Sequence, residues 1–252
     1  MLPKPLRLFY YWLSHQGKVG YWLVQLVNWS FIQYVRIFKV KPKRDLTALT
    51  IVSHKYKFIY IGIPKTATRA FLEAFALSGK DEYGSEWFES AADFQRVLRK
   101  YPDYFKFSFT RNPYARIVSC YNSKIDHDVL GKQARILCFY DGLSGKMGFG
   151  NFAKWLESDE GADAVADRHW LSQHAFLYDG AGQAICDYVG QYENLEVELA
   201  ALRKRLGLPE IELEREGYIS ETRDYRDYYD DAVRARIARR YAKDLELFGY
   251  EF

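Results

Sequence analysis

The chain has 252 residues, 48% of them hydrophobic and 27% charged, with a formal net charge of +3. That composition excludes a disordered chain, and the charge is too small to argue for nucleic acid as a partner. Cys120, Cys138 and Cys186 lack C-x-x-C spacing, so they give neither a disulfide framework nor a zinc site. A reducing compartment fits, with Cys138–Cys186 pairing as the alternative.

Residues 1–45 read as a segment apart from a domain at 46–252. No charge occurs from Val19 to Val35, while Lys4, Arg7 and Lys18 precede this run and Arg36, Lys39, Lys41, Lys43 and Arg44 follow it. At about 100° per residue, Gln25, Asn28, Gln33, Arg36 and Lys39 gather on one side. Leu23, Val27, Phe31, Tyr34, Val35 and Phe38 gather on the other. This segregation, in a run short for a span, predicts an amphipathic helix lying on a membrane surface through residues 19–39. Packing of the helix on the domain or on a second subunit is the alternative. No small-residue cleavage site follows, so a removable signal peptide is not expected.

After a connector at Lys41–Asp45, Ile51–Lys57 reads as a short strand or hairpin arm. Phe58–Gly62 is a second, apolar strand. A tight turn with Gly62, Pro64, Lys65 and Thr66 leads into a helix through Leu72, Phe75, Ala76 and Leu77. A strand feeding a helix through such a turn aims backbone N–H groups at one spot, and a lysine with two hydroxyls there makes it an anion site. The spacing is not that of G-x-x-x-x-G-K-[ST], so the expected ligand is not an ordinary nucleoside triphosphate. Gly79–Glu89 reads as a loop carrying Asp81, Glu82, Glu86 and Glu89, and Ala91–Lys100 as a helix.

Phe105, Phe107 and Phe109 alternate with Lys106, Ser108 and Thr110, which is a strand pattern. Asn112-Pro113 then opens a helix. Arg111 thus stands at a strand's carboxyl end and Ser119 two turns into the helix, where open α/β sheets bind ligands. Surface salt bridging is the plainer reading for Arg111 and Arg116; position favours function for Arg111 alone. Ser123–Gly150 reads as loop, Asn151–Leu156 as a short helix, and Asp187–Glu193 as a strand. Leu195–Leu206 is a helix ended by Gly207, and Asp230–Phe248 one long helix packing through Val233, Ile237, Tyr241 and Leu245.

Ile63-Pro64-Lys65-Thr66-Ala67-Thr68-Arg69 resembles the 5′-phosphosulfate loop of sulfotransferases that use 3′-phosphoadenosine 5′-phosphosulfate (PAPS). The run from Thr110 to Ser119 resembles their 3′-phosphate motif. Asp167-Arg168-His169-Trp170 with Gln173, and the tail from Tyr225 to Tyr250, resemble the carbohydrate-type branch. The resemblance covers Lys57 to the C-terminus. It implies an α/β, P-loop-like three-layer domain with a central parallel sheet. PAPS would be the co-substrate, adenosine 3′,5′-bisphosphate the product, and no metal would be needed. Pro64, Lys65, Thr66, Ala67, Thr68 and Arg69 would hold the phosphosulfate, and Arg111 and Ser119 the 3′-phosphate. Lys65 would also stabilise the leaving phosphate oxygen.

The base that takes the acceptor proton is open between His169 and a glutamate from the interval after the loop, with Glu86 ahead of Glu82 and Glu89. His54 and His127 are weaker candidates, and His15 lies in the N-terminal segment. The acceptor would be a hydroxyl of a carbohydrate or glycolipid. Compact size implies a bacterial enzyme on the cytoplasmic face of the inner membrane, with a Golgi membrane as the alternative. A P-loop-type kinase and an inactive membrane-associated scaffold of the same fold are the rival readings.

Overall fold

The computed structural model describes residues 17–38, 43–77, 83–126, 137–145, 147–210, 213 and 224–252. Five strands form one sheet: β1 (Leu49–Ser53), β2 (Phe58–Gly62), β3 (Ser85–Phe88), β4 (Phe105–Thr110) and β5 (Tyr188–Gln191), in the order β3-β1-β2-β4-β5. β2, β4 and β5 are parallel, as expected for the sheet's centre. The sheet as a whole is mixed, because β1 runs antiparallel to both β2 and β3. β1 and β2 form a hairpin, so the arm seen in the sequence is a full strand. β3 lies inside the stretch read as a loop; its residues Ser85-Glu86-Trp87-Phe88 are half-exposed edge positions whose polar content hides the strand.

Helices cover both faces. On one face Val52, Ile59 and Ile61 meet α3 (Ala91–Lys100), α4 (Pro113–Cys120), α5 (Phe149–Leu156) and α8 (Asp231–Arg240). On the other, Phe58, Tyr60, Phe107 and Phe109 meet α2 (Thr68–Leu72), the π-turn Glu73–Leu77 that continues it, and α7 (Leu195–Leu206). The second face is an aromatic stack, with Tyr60 4.6 Å and Phe109 5.1 Å from Phe71 between ring centres. Gly190 of β5 makes room for it, since a Cβ there would lie 2.6 Å from Phe109. The polar alternates of β4 are buried too: Ser108 donates to the Ile61 carbonyl at 2.6 Å, and Thr110 sits 3.1 Å from the Tyr250 hydroxyl. β4 therefore alternates in polarity without alternating in exposure.

Helix starts follow their caps. Ser90 accepts from the Asp93 N–H at 3.0 Å, Asn112 from Tyr114 at 3.0 Å, and Asp230 from Val233 at 2.7 Å. α7 ends at Gly207, whose φ of 65° suits a residue without Cβ. The last helix, expected to be continuous, breaks at Tyr241 into α8 and α9 (Ala242–Phe248). No glycine or proline marks the break. Tyr241 is buried and donates its hydroxyl to the Trp170 carbonyl at 2.7 Å.

The N-terminal helix, α1, spans Gly17–Ile37. Its distal end packs on the domain, with Ile32 and Val35 buried and Phe31 edge-on to Phe139 at 5.7 Å. Trp22, Leu23, Leu26, Val27, Trp29, Ile37 and Phe38 are exposed. Among the described residues no helix is long and apolar enough to cross a membrane. The three cysteines form no disulfide. The short remaining helix, α6 (His174–Leu177), lies after the segment that carries His169.

Candidate active site

The turn after β2 is strained in a way that suits an anion. Lys65 and Ala67 have φ of 76° and 60°, left-handed values that cost residues with a Cβ about 1–3 kcal/mol each. Left-handed residues in alternation curl backbone N–H groups inward, the geometry of an anion nest. Buried Thr66 closes the turn: its hydroxyl donates to the Ile63 carbonyl at 2.8 Å and its N–H to the same oxygen at 3.4 Å. That hydroxyl braces the loop. Gly62 allows α2 to start directly against the sheet, because a Cβ there would lie 2.8 Å from Thr68 Cγ2.

The structure brings Lys65 and Arg111 together. The half-buried Arg111 donates through Nη1 to the Lys65 carbonyl at 3.4 Å, and its guanidinium lies 4.9 Å from the centre of the Tyr192 ring. Lys65 Nζ donates to Ser123 Oγ at 2.9 Å, from the π-turn Tyr121–Ile125 that follows α4. Ser123 was not foreseen, because a serine at the end of a helix carries no sequence signal of its own. A cavity of about 430 Å³ opens on the side of Arg111 away from the turn's own residues, lined also by Ala115, Tyr192, Glu193, Tyr225 and Arg226. Ser119 is half-buried, one turn beyond Ala115 on the same helical face. Pro64 and Thr68 are half-buried in the turn, and Arg69 is exposed at the start of α2.

Arg116 is no surface residue. It is 1% exposed and donates to the carbonyls of Pro64 at 3.1 Å, Leu171 at 3.0 Å and Arg168 at 3.4 Å. One guanidinium thus ties the turn before Lys65 to the segment that carries His169. Its buried neighbours on α4, Ala115, Ile117 and Val118, were the available signal for burial.

His169 pairs with Asp167, whose Oδ1 accepts from the His169 backbone N–H at 2.9 Å and lies 2.5 Å from its Nδ1. Burial pulls the imidazole pKa below its usual value; Asp167 opposes this, while Lys124 and Arg168 add to it. Burial opposes ionisation of Asp167, yet the hydrogen bond and charge of His169 hold its carboxyl below the ordinary range. Lys124 is depressed chiefly by burial and lies in the field of Cys120, Asp167, Arg168 and Arg69. Cys120, in turn, feels Lys65, so these groups share one neighbourhood. An Nδ1–H donated to Asp167 leaves Nε2 bare, which is the form of a general base.

Glu86 is corrected by the sheet register. It pairs with Val52, towards the end of the sheet opposite the turn, and its carboxylate lies 3.0 Å from His54 Nε2 on the exposed edge. Glu89, just past β3, is the acidic candidate at the carboxyl end, level with Gly62 across β1. Glu82, His127 and His15 lie outside the described residues. Among the described residues no three His, Cys, Asp or Glu side chains converge as a metal site.

A carbohydrate sulfotransferase 14 from Danio rerio is 23% identical over 245 residues, covering 85% of this chain and 66% of that protein. The chain therefore spans just under two thirds of the length of this curated relative. No solved structure matches. The profile described as the sulfotransferase family matches residues 49–251, which include the turn, Arg111, the His169 segment and the closing helices. The chain belongs to the sulfotransferase family.

Proposed function

We propose that residues 46–252 transfer a sulfuryl group from PAPS to a hydroxyl of a carbohydrate or glycolipid. The observation that carries this reading is the meeting of the Lys65 turn with Arg111 beside a cavity of ligand size. A turn fit for one anion, in contact with an arginine fit for a second, suits a donor that carries phosphate on both the 3′ and 5′ oxygens of one ribose. In this reading the turn and Arg69 take the phosphosulfate, while Arg111 and Ser119 take the 3′-phosphate. The carbohydrate acceptor is supported by the name of the relative.

Sulfuryl transfer is an in-line displacement in which positioning and charge stabilisation do most of the work. The acceptor oxygen forms a bond to sulfur as the bond from sulfur to the phosphate oxygen breaks. The acceptor proton passes to Nε2 of His169, and Asp167 stabilises the imidazolium that results. Lys65 meets the negative charge that builds on the leaving phosphate oxygen. Isothermal calorimetry with adenosine 3′,5′-bisphosphate tests the donor site. Arg111→Ala is expected to weaken binding roughly ten- to a hundred-fold, the worth of a charge-assisted contact. Preference for ATP with Mg²⁺ would favour the kinase reading instead.

We further propose that α1 attaches the protein to an anionic lipid surface. Its exposed Trp22, Leu26 and Trp29, which share one helical face, with the basic residues that follow, match an interfacial helix. The expectation of a bacterial inner membrane gains no support from the relative, which is an animal protein. Co-sedimentation with vesicles rich in phosphatidylserine should be lost on Trp22→Ser with Trp29→Ser. Retention on vesicles by this variant would count against the helix as the attachment.

A further inference from the structure

We propose that Gln173 is the positioning residue that gives the site its selectivity for a ligand 3′-phosphate. The inference rests on the donor reading above. β4 ends at Thr110, the last residue in register with β5. The next residue, Arg111, which must aim a guanidinium, lies one position past that pairing. Gln173 takes the place of a strand neighbour there. Its Oε1 accepts from the Arg111 N–H at 2.9 Å and its Nε2 donates to the Arg111 carbonyl at 2.8 Å. A side-chain amide thus makes the two hydrogen bonds that an adjacent strand would have made.

Gln173 is itself fully buried and anchored from a distant element. Its backbone N–H donates at 2.7 Å to Oδ2 of Asp244, a fully buried carboxylate on α9. The other oxygen of Asp244 accepts from the His174 N–H at 2.9 Å and lies 2.7 Å from His174 Nδ1. The following residue of the crossover is held in the same manner, with Asn112 N–H donating to Glu193 at 2.7 Å. Arg111 consequently leaves a backbone fixed on both sides. Its side chain is directed towards the Lys65 carbonyl and the Tyr192 ring, at the wall of the cavity. Freeing that backbone lets the guanidinium wander, and an anion that depends on it loses its partner.

The test compares two ligands that differ only in the 3′-phosphate, adenosine 3′,5′-bisphosphate and adenosine 5′-monophosphate, titrated into the full chain. Wild type is expected to prefer the bisphosphate by roughly ten- to a hundred-fold. Gln173→Met keeps the side-chain length and removes both hydrogen bonds. It should reduce the preference to about threefold or less, with monophosphate affinity held, which is the cost of one misaligned charge-assisted contact. If Gln173→Met does not fold, Gln173→Asn keeps the polarity but retracts the amide, and the same loss of preference is expected. Equal weakening of both ligands, or a preference that survives either variant, would overturn the positioning role. Wild type without any preference would overturn the donor reading itself, and this inference with it.

Discussion

Lys65→Gly is expected to yield a protein that melts higher than wild type and loses most of its sulfuryl transfer. The two effects have separate origins. Lys65 adopts φ of 76°, where a residue with a Cβ is strained and glycine is not. Relieving it should stabilise the fold by about 1 kcal/mol, or roughly 2–4 °C in Tm for a chain of this size. The lost ammonium acts in the other direction. In the proposed reaction it faces charge that grows on the leaving oxygen, so turnover should fall by about 10²–10³ or more, beyond the loss in ground-state affinity. Lys65→Ala separates the terms, because alanine keeps the Cβ and its strain while losing, as glycine does, the ammonium and its hydrogen bond to Ser123. It should match Lys65→Gly in activity with radiolabelled PAPS and show none of its gain in a thermal melt. A Lys65→Gly protein that melts lower than Lys65→Ala would mean the turn is held by contacts, with no strain to release.

The places where sequence and structure agree are those where local chemistry determines the outcome. β2, β4, α3, α4 and α7 carry apolar periodicity bounded by a cap, a proline or Gly207, and each forms as its residues dictate. The turn at Lys65 and the arginine at 111 are legible because strand, turn and helix signals fall in direct succession. What the sequence hides are residues whose roles depend on distant partners. Arg116 reads as one more surface cation until the carbonyls of Pro64, Arg168 and Leu171 close on it. Gln173 stands out in the sequence only through the family resemblance, and its hydrogen bonds to the Arg111 backbone, 62 positions away, are visible in the fold alone. Glu86 is the converse. Its place after the anion turn suited a base, but the pairing of β3 with β1 sends it to His54 at the far end of the sheet. The break at Tyr241 likewise falls at a buried residue with a tertiary hydrogen bond and carries no glycine or proline to mark it in the sequence.

The pH dependence of turnover should rise from acid and level off before neutrality. As the proposed base, His169 must be unprotonated at Nε2 to accept a proton, and burial already pushes its pKa below the ordinary histidine value of 6.5. A base with a depressed pKa is in its active form above that pKa, so the rate is lost only as pH falls through it. The limb should therefore lie on the acid side of 6.5. Asp167 pulls the imidazole pKa upwards, so Asp167→Asn should move the limb further towards acid. The same change releases the ring from the tautomer with its proton on Nδ1, and the plateau rate should drop as well. His169→Ala should cost about 10²–10⁴ in kcat, the usual worth of a positioned general base, and should flatten the limb. Its affinity for adenosine 3′,5′-bisphosphate should stay near wild type, since the ring is assigned no donor contact. A His169→Ala enzyme within about threefold of wild type would transfer the role to another base. Glu89, the acidic candidate at the carboxyl end of the sheet, would be next in line, and Glu89→Gln would then cause the loss of turnover that His169→Ala did not.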